Sequence, residues 1–110
     1  MLASWDGGGT VIALSGDMVL AVPARLTIEN RNDFRRELLA WIDGAIARGE
    51  TDVTLDMAQT EDLDVSGIAL LVAVQQRASL HKLHITLRRP NDRVRQMLIL
   101  SRMSTLFRVE

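Results

Sequence analysis

The stretch of residues 52–81 constrains the fold of this chain more than any other. Residues 52–57 alternate apolar and polar side chains with the period of a half-buried strand, and a short acidic loop follows at residues 59–64. Residues 66–81 begin with a strongly apolar run, which predicts a largely covered helix. Strand, loop and helix in this order place Asp64 at the helix N-terminus. Because unpaired backbone N–H groups and the positive end of the helix dipole favour an anion there, this is the first place to look for a functional site.

Two apolar runs precede this unit and predict a β-hairpin. They span residues 10–14 and 18–22, with the turn residues Ser, Gly and Asp at 15–17 between them. Three glycines at residues 7–9 predict a turn in a flexible approach, since the Lys-Ser/Thr pair and the helix of a phosphate-binding P-loop are missing. Pro23 suits a strand end or a sheet edge, because it cannot donate a ladder hydrogen bond.

Helical periodicity covers about residues 27–48. Thr27 or Asn30 is the candidate cap at the start of this helix, and Gly49 is the candidate stop at its end. With the strand at residues 52–57 after it, the helix completes a β-helix-β unit. Such a unit implies a parallel strand pair with a right-handed crossover.

The second helix leads into another alternating run at residues 83–88, which predicts a further strand and a second β-helix-β unit. A turn and cap at residues 90–92 precede a last helix, after which Leu106 and Phe107 are expected to fold back onto the core. Alternating strands favour a sheet with helices mainly on one face. The sequence therefore predicts one α/β domain over residues 1–110, with a mixed four- to five-stranded sheet opened by a β-hairpin.

Composition excludes several classes of function. The chain has no Cys, so disulfides, thiolate catalysis and cysteine metal sites are excluded. The formal net charge is −1 and aromatic residues make up 4%, which leaves little charge or stacking surface for nucleic acid. No run approaches the roughly 20 apolar residues of a membrane span, and the N-terminus lacks a signal-peptide pattern. We therefore expect a cytoplasmic protein with no nucleic-acid partner and no membrane insertion.

Candidate catalytic and metal-binding residues are few. A hydrolase triad of Ser66, His81 and Asp64 is rejected, because the Gly-x-Ser-x-Gly motif is absent and His81 lies about 22 Å along the helix. His81 and His84 have no nearby carboxylate, and such a pair is more often a pair of surface residues than of metal ligands. We therefore expect no catalytic residue, no metal site and no cofactor.

The charged residues form two local clusters. The acidic loop, with Glu61, Asp62 and Asp64, offers a Mg²⁺ contact or a recognition surface for a basic partner, or it is a solvated turn in which Asp64 caps the helix. Four arginines cluster further along the chain: Arg88, Arg89, Arg93 and Arg95. They could meet phosphates, but a nearly neutral chain without interleaved aromatic residues favours a solvated helix start.

The order of elements and one short motif resemble the STAS domain of bacterial anti-sigma-factor antagonists. Residues 64–67 read Asp-Val-Ser-Gly before an apolar helix, where that family carries Asp-Ser-Ser-Gly after a strand similar to residues 53–57. Weaker similarity is found at residues 25–27 and 90–95, and the resemblance spans nearly the whole chain. It implies the STAS fold and a non-enzymatic module that regulates transcription by partner switching.

The resemblance also implies a partner and a phosphorylation site. In the family, a kinase-type anti-sigma factor binds this loop and helix and phosphorylates the hydroxyl residue directly after the motif Asp. The phosphate adds about −1.5 to −2 charges beside carboxylates, which breaks the complex. Here that residue is Val65, which has no hydroxyl, and Ser66 lies about 100° further round the helix start. We therefore expect constitutive binding, with phosphorylation of Ser66 as the alternative.

Six residues form the predicted partner-binding surface: Asp62, Asp64, Val65, Ser66, Gly67 and Ile68. The predicted partner is a kinase-type anti-sigma factor or a related regulatory protein. The alternative function is that of a STAS subunit of an ABC-type phospholipid-transport complex, docking on its ATPase. The hairpin edge and the apolar helix also leave a homodimer open.

Overall fold

A mixed six-stranded sheet forms the centre of the computed structural model. The structure describes residues 2–4, 10–14 and 17–110. Among these, it describes the side chains of residues 19–103 and 105–110. In chain order the elements are β1 (Leu2–Ser4), β2 (Thr10–Leu14), β3 (Asp17–Ala21), β4 (Arg25–Leu26), α1 (Arg31–Ala47), β5 (Asp52–Asp56), β6 (Asp62–Leu63), α2 (Val65–Leu80), β7 (His84–Arg88), α3 (Asp92–Leu100), a 3₁₀ turn (Met103–Thr105) and β8 (Arg108–Val109). The large sheet has the order β1-β2-β3-β5-β7-β8, and β4 and β6 form a separate two-stranded pair.

The predicted hairpin is confirmed. β2 and β3 pair antiparallel, with Ile12 opposite Val19. Of the predicted turn at residues 15–17, Asp17 begins β3 and residues 15–16 lie outside the described residues, as does the glycine turn at residues 7–9. β1 pairs antiparallel with β2, with Leu2 opposite Ile12, and the sequence had not predicted this strand.

The central strands β3, β5 and β7 are parallel, as both β-helix-β units predicted. Leu20 lies beside Leu55, and Leu55 lies beside Leu87, so one register row is leucine across the three central strands. The large sheet has six strands instead of four or five, because β1 and β8 extend its two edges. Strands of three and two residues are too short to show a hydrophobic period.

The helices cover the apolar face of the sheet. In β5 the buried Val53 and Leu55 alternate with the exposed Asp52 and the half-buried Thr54. α1 turns an apolar face to the core that consists of Phe34, Leu38, Trp41, Ile42 and Ala45. α2 contributes Leu70, Leu71, Val74 and Ala78. Burying these side chains is the main favourable term in the stability of the domain.

The predicted helix ends are mostly confirmed. Gly49 has a φ of 75°, the left-handed conformation that suits glycine after a helix. Asn91 caps α3, since its Oδ1 accepts a hydrogen bond from Val94 N–H at 2.8 Å. Asn30 precedes α1, but its side chain accepts from Thr27 N–H at 2.8 Å, so it ties the loop before the helix. Of the last residues, Phe107 is buried and Leu106 is half exposed.

Candidate protein-binding site

Asp64 joins two segments that are far apart in the sequence. Its Oδ1 accepts a hydrogen bond from Gly67 N–H at 3.0 Å and thereby caps α2. Its Oδ2 accepts from Ile28 N–H, also at 3.0 Å, across a separation of 36 residues. We call this arrangement the Asp64 clamp. It fastens the loop between β4 and α1 to the first turn of α2, and it confirms the cap interpretation of Asp64.

The clamp lowers the pKa of Asp64. The largest cause is the hydrogen bond from Gly67 N–H, and the bond from Ile28 N–H acts in the same direction, while desolvation opposes both. Each hydrogen bond stabilises the carboxylate relative to the neutral acid. Asp64 is therefore ionised at neutral pH, and each of its oxygens already has a backbone donor.

We expect the Asp64→Asn variant to be less stable than the original chain at neutral pH, by a margin that shrinks in acid. Because the folded pKa is lowered, the charged form contributes stability above the unfolded value near 3.8 and loses it as pH falls through the folded pKa. Urea unfolding at pH 7 and at a pH well below 3.8, past the lowered pKa of Asp64, measures this margin. Glu29→Gln, at an exposed position in the loop between β4 and α1, is the control, and an Asp64→Asn margin that is equal at both pH values would contradict the prediction.

Gly67 allows α2 to approach the small sheet closely. β4 and β6 pair parallel, with Leu26 beside Leu63. A Cβ atom at Gly67 would lie 2.4 Å from the backbone oxygen of Leu26 and 2.8 Å from Cδ1 of Leu63. Only glycine fits at this distance. Gly67 is itself buried, so it positions the site and does not offer a surface to a partner.

Two exposed apolar side chains belong to the two segments that the clamp joins. Val65 follows Asp64 and is 80% exposed, and Ile28, whose N–H group the clamp holds, is 70% exposed. We call these two residues the apolar pair. Single exposed apolar residues are common, but two beside one polar clamp form a candidate contact surface for another protein. Sequence reasoning missed Ile28, because no local pattern connects it with Asp64.

The other predicted site residues differ in accessibility. Ser66 and Ile68 are half-buried, and Ile68 packs against the core. Asp62 forms an ion pair with Arg25, in which Nε of Arg25 lies 3.3 Å from Oδ2 of Asp62. The structure thus brings the six predicted residues together, with Val65 the most exposed of them.

A cleft of about 310 Å³ opens beside the clamp. It is lined by Arg25, Thr27, Asp62, Leu63, Asp64, Arg93 and Met97. Arg93 is the only member of the predicted arginine cluster in this lining. The cluster is divided in the fold, because Arg89 pairs with Asp56, and Arg95 donates to the backbone oxygen of Glu110 at 3.2 Å.

Neither a metal-binding cluster nor a membrane-spanning helix is found among the residues that the structure describes. Within residues 2–4, 10–14 and 17–110, no group of three His, Asp or Glu residues is placed to hold a metal ion. His81 follows the end of α2 and His84 begins β7, and both side chains are exposed. Over the same residues, no helix combines the length and the apolar character needed to cross a bilayer.

Solved structures share this fold. An anti-sigma-factor antagonist (STAS) domain protein from Planctomyces limnophilus matches with a TM-score of 0.77 at 19% identity, over 92% of this chain and 87% of that one. SpoIIAA of Bacillus, an anti-sigma factor antagonist, matches in its unphosphorylated form with a TM-score of 0.69 at 16% identity, over 94% of this chain and 88% of that one. A serine-to-glutamate variant of RsbS from Moorella thermoacetica matches with a TM-score of 0.69 at 19% identity, over 94% of this chain and 86% of that one. At these identities the likeness establishes the fold.

Sequence comparison establishes the family. A search of curated protein sequences gave no match. The family described as "Mlab, STAS domain", in contrast, matches residues 1–108, which is nearly the whole chain. Strand order, the capped α2 and the family match agree with one another. The chain is a STAS domain and belongs to the family described as "Mlab, STAS domain", with a fold that resembles anti-sigma-factor antagonists.

Proposed function

We propose that this chain is a non-enzymatic regulatory module of the bacterial cytoplasm that binds a kinase-type anti-sigma factor, or a related regulator, through the Asp64 clamp and the apolar pair. The observation that carries the proposal is the exposure of Val65, which is 80% accessible at the first position of α2. By the family resemblance, this is the residue that a kinase would phosphorylate. A valine here supplies apolar contact area and accepts no phosphate.

The chemistry of Val65 favours constitutive binding. Complete burial of a valine side chain contributes about 1.5–3 kcal/mol to the free energy of binding, which is comparable with the free energy lost when a typical interface hot-spot residue is truncated. A phosphorylated hydroxyl at this position would instead put negative charge beside Asp62 and Asp64, and like-charge repulsion would oppose docking. The switch that the resemblance implies is therefore absent from Val65 in our proposal.

Ser66 is the alternative phosphorylation site, and its position speaks against that role. Its side chain is half-buried, whereas Val65 is open to solvent. It also lies about 100° around the helix from Val65, away from the line on which a kinase would approach the family position. A hydroxyl in the first turn of a helix commonly has a structural use, since it can bond free backbone groups.

The test mixes the purified chain with the kinase-type anti-sigma factor encoded nearest to its gene, in the presence of ATP and Mg²⁺. Intact mass and binding are measured on the same sample, and we expect a stable complex with no gain in mass. One added phosphate that maps to Ser66 and weakens binding would show a displaced switch and contradict constitutive binding. Absence of any complex would contradict the antagonist function. Sedimentation of the chain alone measures whether it forms a homodimer.

A second function is favoured by the family match. The description of the matching family names Mlab and does not name an anti-sigma-factor antagonist. In addition, Val65 has no hydroxyl group that a kinase could phosphorylate. We propose as the alternative a STAS subunit of an ABC-type phospholipid-transport complex, in which the same surface docks on the ATPase. Co-purification with a permease and ATPase encoded nearby, with no binding to an anti-sigma factor, would favour this function.

A further inference from the structure

The cleft beside the clamp is lined by apolar and charged residues. Leu63 and Met97 contribute apolar surface, while Arg25 and Arg93 contribute guanidinium groups. Its volume of about 310 Å³ is at the lower end of the range for small-ligand pockets. This size suits one inserted side chain that has both apolar and polar atoms.

Both carboxylates in the cleft already have partners. Asp62 is paired with Arg25 at 3.3 Å. Asp64 accepts hydrogen bonds from Gly67 N–H and Ile28 N–H, one at each oxygen. An incoming cation would therefore have to compete with contacts that the folded chain has made.

Arg93, in contrast, lines the cleft without taking part in any ion pair found among the described side chains. Among the side chains that the structure describes, no carboxylate lies within ion-pair distance of its guanidinium group. Arg93 is exposed in the first turn of α3, beside Asp92, whose carboxylate meets the positive end of the helix dipole. The guanidinium group of Arg93 is therefore available to an anion that enters the cleft.

We infer that the cleft binds an acidic side chain of the partner protein, with Arg93 as the principal hydrogen-bond donor. A guanidinium group can donate two parallel hydrogen bonds to one carboxylate, and Arg25 is a second arginine that lines the cleft. The stem of a glutamate would contact Leu63 and Met97. The inference rests on the proposed function in one respect: the acid belongs to the partner that covers the apolar pair.

The first test needs no partner protein. The full chain is titrated with N-acetylglutamate amide at millimolar concentrations, and backbone amide shifts are followed by NMR. We expect saturable shifts at residues lining the cleft, no such shifts with N-acetylglutamine amide, and an affinity about tenfold lower in Arg93→Met. Arg95→Met is the matched control, since Arg95 lies on the same helix and does not line the cleft. Equal responses to the acid and the amide would overturn the inference.

The second test uses the anti-sigma factor of the proposed function. Arg93→Met is expected to weaken that complex about tenfold and to reduce its salt dependence, whereas Arg93→Lys retains part of the affinity. If Val65→Glu weakens the complex and Arg93→Met leaves it unchanged, the inference is wrong and the proposed function remains. If no complex forms, the proposed function fails, and the amino-acid titration still decides the chemistry of the cleft.

Discussion

Replacing Gly67 with alanine is expected to destabilise the fold by about 2 kcal/mol. The new Cβ atom would lie 2.4 Å from the backbone oxygen of Leu26, which is held in the small sheet and has little room to move. Overpacking of this kind typically costs about 1–3 kcal/mol, more than the gain of about 1 kcal/mol from replacing glycine inside a helix. Urea unfolding gives the difference in free energy.

Gly44 provides the matched control for this prediction. It lies inside α1, where an added Cβ atom meets only the flexible end of Arg48 at 3.3 Å. Gly44→Ala should therefore leave stability unchanged or raise it by up to about 1 kcal/mol. Equal effects at Gly44 and Gly67 would show that the contact of α2 with Leu26 does not determine the outcome.

Replacing Val65 with glutamate is expected to weaken partner binding by about 2 kcal/mol or more, which is roughly 30-fold. The change removes apolar contact area and places a negative charge beside Asp62 and Asp64. The fold itself should be retained, because Val65 is exposed and a carboxylate is favourable in the first turn of a helix. Calorimetry with the anti-sigma factor measures the affinity, and urea unfolding checks the stability.

Leu80→Glu is the control for the Val65 variant. Leu80 is also a highly exposed apolar residue of α2, but it lies about 22 Å away along the helix axis. We expect its substitution to leave binding unchanged. If Val65→Glu binds as tightly as the original chain, the apolar pair is not part of the interface.

The parts of the fold that depend on local periodicity could be predicted from the sequence. Alternation identified β5 and β7, helical spacing identified α1 and α3, and a strongly apolar run identified α2. β4 and β6 were beyond this reasoning, because a two-residue strand exists through its partner and shows no period of its own. The same is true of β8, which pairs with β7 over two residues.

Only part of the candidate site could be predicted from local sequence. The role of Asp64 as a cap followed from its place before an apolar helix, and the geometry confirms it. The bond to Ile28 depends on where the loop after β4 lies in space, so local sequence could not show it. The arginine cluster was interpreted from proximity in sequence, whereas the fold gives Arg89 and Arg95 other partners and places only Arg93 at the cleft.

The Asp64 clamp has a consequence for the kinetics of recognition. Because it holds Ile28 and the start of α2 together in the free chain, few groups have to be ordered when another protein arrives. Association should then proceed at the ordinary rate for preformed surfaces, about 10⁵–10⁷ M⁻¹s⁻¹. Differences in affinity among variants of the apolar pair would therefore lie in how long the complex persists and not in how fast it forms.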